Sequence, residues 1–275
     1  MDFKYLKIDK KDGRPIEIRM NEDQTEEQAS FGLGLWQMTE PYNEPMGVDG
    51  DKFQKTLDSI PAFTIKDFID DDPEDLAKYG LEEPEIEFTF KDSENSLQLH
   101  IGKEHDDKTV YCKTPDSNSV YTIEKSKLEF MDLDPFTIVD KFAFIVNIDD
   151  VDKIVVEGGG KTYTLTITRT TEKSDKEGEE DEVIETYKLD GKEVEESPFK
   201  KAYQSLIGLL VDAENNKEPD GKPEVETTFF LNKGKEREIH VDYVPYDNDF
   251  YVVMRGGKAE FVISKQQVSK MLDTL

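Results

Sequence analysis

The sequence predicts an α+β protein of two tandem pseudo-repeats, residues 1–140 and 141–275, each an antiparallel sheet packed by a helix. Three observations predict it. Phe53, Leu57, Ser59, Ile60 and Phe63 fall opposite Phe199, Tyr203, Ser205, Leu206 and Leu209 without a gap. The segments after each helix match in order: Leu99-His100-Ile101 with Ile239-His240-Val241, Val110-Tyr111 with Phe250-Tyr251, and Val120-Tyr121-Thr122-Ile123 with Glu260-Phe261-Val262-Ile263. In both halves these segments are short, rich in β-formers and separated by turn residues, the mark of an antiparallel meander. A repeat fixes the architecture before any single element is assigned.

In the first half, Ile16 to Met20 alternates apolar and polar residues and reads as a strand. Gln24 to Ser30 reads as a polar turn and Phe31 to Met38, with the lone Trp36, as a second strand, which Pro41, Pro45 and Gly47 interrupt. Asp49 or Asp51 caps a helix running to about Ile60, with Phe53, Leu57 and Ile60 on one face and Pro61 ending it. A short helix, Pro73 to Tyr79, follows an acidic run and stops at Gly80, suited to the left-handed cap position. Strands are expected at Ile86 to Lys91, Leu97 to Gly102, Thr109 to Lys113 and Val120 to Ile123, then a helical turn at Ser126 to Met131 and a bridge at Asp132 to Asp140.

The second half opens with a hairpin, Lys153 to Glu157 and Thr162 to Thr170, around Gly158-Gly159-Gly160. Glu172 to Asp181 is a charged, low-complexity tip that reads as a mobile loop. Val183 to Leu189 returns as a strand, and Asp190-Gly191 turns. Ser197-Pro198 opens a helix from Phe199 to Asp212, since proline fits the first helical position after a serine cap. A polar loop, Glu214 to Lys222, leads to strands at Thr227 to Leu231, Glu238 to Tyr243, Phe250 to Met254 and Glu260 to Ile263, and Lys265 to Leu275 closes as a helix.

Composition narrows the function. At 275 residues the chain is long enough for one large or two small domains, each with a real core. Hydrophobic residues make up 35% and charged residues 36%, yet the pattern is strongly periodic, which argues against disorder. A net charge of −28 repels phosphate backbones and anionic head groups, so neither nucleic-acid binding nor charge-driven membrane binding is expected. Cys112 is the lone cysteine, which leaves no intramolecular disulfide and no cysteine-based zinc site. The sequence contains no apolar run of membrane-spanning length and no signal peptide, which fits either a cytosolic protein or one from which an anchor has been removed.

One set of residues points to a family. Trp36-Gln37-Met38 with Pro41, then Val48-Asp49, Phe53 and Leu57, are followed by Tyr79-Gly80-Leu81-Glu82-Glu83-Pro84, Ile101-Gly102, Tyr111 and Val120-Tyr121. Together they resemble the domain-of-unknown-function family 4340 (DUF4340) over most of the chain, and the Tyr-Gly-Leu-x-x-Pro elbow is the most specific piece. Tyr187 stands where the second repeat of such proteins often carries a tryptophan, with Leu189-Asp190-Gly191 following as expected. The resemblance implies an extracytoplasmic, cell-surface protein held by one N-terminal membrane helix, some relatives accompanying ABC transporters of the gliding-motility type. The anchor is absent from these 275 residues. The family brings no catalytic residues to carry over.

Candidate sites weigh toward structure. His100 and His240 occupy matched positions and could meet around a metal, but neither lies in ligand spacing. His105 sits in a polar turn. Asp70-Asp71-Asp72 with Glu74 and Asp75 lacks the spacing of a calcium loop, and acidic residues before a helix serve capping; Asp242, Asp247 and Asp249 are read the same way. Ser59 and Ser205 lie on predicted helices rather than a nucleophile elbow, and the triple glycine links two strands rather than a strand and a helix. With 63 acidic residues, no carboxylate pair is informative. No catalytic, metal or cofactor-binding residue is therefore assigned. Trp36 and Tyr187 are the candidate ligand or partner contacts. The expected function is non-enzymatic: an extracytoplasmic accessory or scaffold module binding a membrane transporter or envelope protein, an ABC transporter component among them. The alternative is a ligand- or cation-binding cell-surface domain.

Overall fold

The computed structural model describes residues 3–172, 182–235 and 237–275, so the charged tip expected at 172–181 lies, but for Glu172, outside the described residues. The chain forms two compact units, Met1–Gln24 with Leu33–Asp140, and Thr25–Gly32 with Lys141–Leu275. The halves 1–140 and 141–275 assign Thr25–Gly32 to the first; it belongs to the second.

In the first unit β1 (Phe3–Lys10) and β2 (Ile16–Met20) form a hairpin. The chain enters the second unit as helix α1 (Glu26–Ser30) and returns as β3 (Trp36–Glu40), β4 (Met46–Gly47), helix α2 (Gly50–Ser59) and β5 (Phe68–Asp70). The meander β6 (Ile86–Asp92), β7 (Ser96–Glu104), β8 (Thr109–Lys113) and β9 (Val120–Glu124) follows, and α3 (Pro135–Ile138) ends the unit. One antiparallel sheet results, in the order β4-β3-β2-β1-β6-β7-β8-β9-β5.

The second unit contains β10 (Val151–Gly158), β11 (Lys161–Glu172), β12 (Glu182–Leu189), β13 (Lys192–Val194), α4 (Glu196–Ile207), β14 (Ala213–Glu214), β15 (Val225–Leu231), β16 (Glu238–Pro245), β17 (Phe250–Arg255), β18 (Lys258–Ser264) and α5 (Lys265–Leu272). Its order is β13-β12-β11-β10-β15-β16-β17-β18-β14, the first sheet's order strand for strand. The duplication is therefore a shared topology.

The α+β expectation is overturned. The protein is mostly β, 43% strand and 20% helix, built on two nine-stranded antiparallel sheets. The helices are a minor layer: α2 buries Phe53 and Leu57, and α4 buries Phe199, Ala202, Tyr203 and Leu206. A helix of ten or twelve residues covers only a few strands of such a sheet. Elsewhere the sheet is packed by side chains from turns, as where Phe63 and Phe130 meet Phe88 at ring separations of 5.5 and 5.4 Å. β1, a central strand, is absent from the expectation. A bulge between Phe3 and Tyr5 breaks its alternation, the signal by which a strand is read from sequence.

The same bulge recurs in β10, between Val151 and Lys153, and gives a common origin for pairing the repeats. Counted from it, Trp36 corresponds to Tyr187, through the pairs Met20–Trp36 and Ile167–Tyr187. On the other side Thr89 and Thr228 correspond, and their partners are Gln98 and His240. His100 therefore corresponds to Asp242, not to His240. A slip of two residues keeps every side chain on its face, so an alternating pattern cannot detect it. Val110 matches Tyr251 rather than Phe250, a shift of one residue, since each faces an isoleucine, Ile123 or Ile263.

Three local expectations also change. Pro73 to Tyr79 contains only the 3-10 turn Ala77–Tyr79, closed by Gly80 at φ +70°. Helix α4 starts at Glu196 with Glu195 as its cap residue and no capping side chain, and ends at Ile207. The expected polar turn before Ser30 is α1, closed by a capping box in which Thr25 Oγ1 accepts from Gln28 N–H (3.1 Å) while Thr25 N–H donates to Gln28 Oε1 (3.0 Å).

Candidate functional site

Trp36 and Tyr187 hold equivalent ladder positions and do the same thing. The Trp36 ring meets Phe53 of α2 edge-on at 5.7 Å, and the Tyr187 ring lies 4.8 Å from Phe199 of α4. Each anchors its helix to its sheet, so both candidate contacts are spent on packing. Trp36 Nε1 is buried without a hydrogen-bond partner, while the Tyr187 hydroxyl donates to Glu185. Burial and then Glu185 push Tyr187 up to about 12. Glu185 also accepts from Arg169 Nε (2.8 Å), whose other nitrogens donate to the Val151 and Ile148 carbonyls, each at 3.0 Å. This guanidinium is a brace between strands.

The remaining sequence candidates stay apart. His105 Nδ1 lies 2.7 Å from the Tyr111 hydroxyl, and His240 Nδ1 lies 3.2 Å from Thr228 Oγ1. Burial lowers the pKa of His100. Ser59 donates to Thr56 O and Ser205 to Ala202 O, each 2.7 Å away within its own helical turn. Cys112 is buried, which pushes its thiol up to about 11. Asp247 accepts from the Asp249 and Phe250 amides (2.8 and 2.9 Å), as Asp106 accepts from Lys108 and Thr109 (2.8 Å each), so both repeats close this hairpin with one device. Among the described residues no group of three or more His, Cys, Asp or Glu side chains could hold a metal.

The elbow Tyr79-Gly80-Leu81 is a docking element. Tyr79 packs edge-on against Tyr111 at 4.9 Å and donates to Asp70 (3.1 Å), while Leu81 joins Val120 in the core. Gly102 lies so close that a Cβ there would stand 2.2 Å from the Tyr79 carbonyl oxygen. Gly80 and Gly102 thus let two backbones touch.

The second unit has a cleft of about 260 Å³ beside α1, lined by residues of that helix and by Asp150, Leu231 and Lys233. Burial alone would raise the pKa of Asp150, but hydrogen bonds from Lys233 (2.7 Å) and Ser30 and the charges of Lys233 and Arg169 outweigh it and hold the carboxyl below the usual range. All its interactions go to the chain itself.

The sheet edges differ more. β4 is buried, and its neighbour Val48 bridges to Val139. β13 presents Lys192 and Glu193, and β14 is Ala213-Glu214 followed by Asn215-Asn216. β5 is the exception. Thr64 to Phe68 are all exposed, Ile65 at 60% and Phe68 at 58%, while Ile69 packs inward against the Tyr79–Leu81–Val120 cluster. The sequence pattern assigns these residues to no element, between a helix ended by Pro61 and a short one from Pro73. The available signal was a β-former-rich window, Phe63 to Ile69, between Pro61 and Pro73.

A duplicated nine-stranded sheet with a helix-anchoring aromatic in each copy, and the elbow seated on Gly102, defines the class of protein. Residues 36–220 match the family described as a domain of unknown function (DUF4340), and the chain belongs to that family. The match begins at Trp36 and takes in the elbow, Tyr187 and all of α4. No curated protein and no solved structure matches the chain.

Proposed function

We propose that this chain is a non-enzymatic binding module, an extracytoplasmic accessory or scaffold element that engages a membrane transporter or envelope protein. The β5 edge carries the reading. Native sheets blunt their free edges with charge, brevity or cover; among the described residues all four edge strands are only two or three residues long, and β4, β13 and β14 are in addition covered or polar. β5 and the segment leading into it instead expose Phe68 and Ile65, the kind of apolar feature that marks a contact surface. Three side chains that could act as nucleophiles add support, since Ser59 and Ser205 are bonded within their own helices and Cys112 is buried. The cleft beside α1 gives the ligand-binding alternative less, because Asp150 is already neutralised by Lys233.

The test uses the chain as bait in envelope extracts at low and high salt, beside a broad hydrolase screen. Recovery of a transporter subunit, weaker as salt rises, is expected from the −28 charge. Turnover of a defined substrate, abolished by one point mutation, would overturn the proposal.

A further inference from the structure

We infer that the β5 edge takes an extended segment of a partner protein as an added strand, and that this segment is apolar at its centre and basic around it. The inference rests on the partner-binding reading and specifies its surface and chemistry. Strand addition needs an exposed edge with nothing seated on it. Among the described residues β5 pairs with β9 alone, and exposure runs unbroken from Thr64 through the lead-in segment to Phe68, the first residue of β5.

The side chains select the occupant. Phe68 lies on the face shared with Tyr121, 5.6 Å away edge-on, so an apolar residue of an added strand would complete a cross-strand cluster there. Around Phe68 the charge is one-sided: between Ile65 and Asp75, Lys66 stands against Asp67, Asp70, Asp71, Asp72, Glu74 and Asp75. Lys66 is already paired with Glu124 at 3.1 Å. Among the described residues none of the six carboxylates forms an ion pair. Their hydrogen bonds come from neutral donors: Thr122 to Asp67, Tyr79 to Asp70, Ser119 to Asp71, Asn118 to Asp72 and the Ala77 amide to Asp75. Such bonds fix five of the six carboxylates in place without an ion pair. A strand bringing Lys or Arg beside them and an apolar residue beside Phe68 satisfies both features. A second copy of this chain, at −28, would meet repulsion.

The probe is a fluorescent octapeptide of alternating lysine and valine, titrated into the full chain at low and moderate salt. Its control alternates lysine and proline, keeping the charge but removing the ability to join a ladder. The lysine–valine peptide should bind about tenfold more tightly than the control and protect from hydrogen exchange those β5 amides that point away from β9. Phe68→Lys should weaken it about tenfold, while Leu35→Lys, the same charge change at another exposed apolar residue of this unit, should not. Phe68→Thr, at home on an exposed strand, keeps the test sound should the lysine variant fold poorly. Equal binding of both peptides, or protection away from β5, would overturn the inference. Capture of the same transporter subunit by the wild type and by Phe68→Lys would also overturn it and leave the binding-module reading intact. That reading fails separately, by turnover in the hydrolase screen.

Discussion

Truncating Phe199 to alanine tests the helix-on-sheet packing of the second unit. The side chain is 1% exposed on the inner face of α4, with its ring 4.8 Å from Tyr187. Removing a buried phenylalanine ring costs about 3–5 kcal/mol, through lost transfer free energy and the cavity left behind. Helix α4 has little with which to refill the space, because Ala202 is small and Tyr203 is pinned by donating to Val146 O at 2.6 Å. The upper half of that range is therefore expected. At roughly 3 °C per kcal/mol for a body of this size, the midpoint of the second unit should fall by about 12–15 °C. Thermal melts by near-ultraviolet circular dichroism, with urea titration for the free energy, read this directly. Phe53→Ala should cost at least as much in the first unit, since Phe53 meets both Phe3 (4.9 Å) and Trp36. An unchanged midpoint for Phe199→Ala would refute the claim that these faces hold the helices to the sheets.

Three further outcomes are expected. Gly102→Ala should destabilise the first unit by about 1–3 kcal/mol, because the new methyl must displace the Tyr79 backbone, whereas Gly34→Ala, in open space, should be near neutral; urea midpoints compare them. Asp150 has a folded pKa below its ordinary value, so its contribution to stability is fully present above about pH 4 and is lost as pH falls through the folded value; urea titrations from pH 6 to 2.5 should show a shallower acid loss in Asp150→Asn, and parallel curves would contradict this. Cys112, its thiol raised to about 11 by burial, should resist a thiol reagent at pH 8 in the native protein and react promptly in urea.

The sequence by itself determined the duplication, the meander strands, the glycine turns and the buried faces of α2 and α4. These are local properties: a period of two or of 3.6 states which side of an element is apolar. Gly159 and Gly160 at φ +58° and +74°, and Asp190-Gly191 at +48° and +76°, form the tight turns their residue types call for. Family membership was legible for the same reason, since Tyr79-Gly80-Leu81 and Gly102 answer to one short-range requirement, the contact of two backbones. Tertiary structure alone decided the rest. The central strand β1 went unread, and the two-residue period let His100 be paired with His240 when its counterpart is Asp242. Helix α1 carries its own capping box, yet only contacts distant in sequence, such as Ser30 O accepting from Asn147 N–H at 2.9 Å, assign it to the second unit. The exposed edge is the clearest case. Whether Phe68 faces a neighbour strand or solvent depends on the order of all nine strands, and no pattern within β5 records that order.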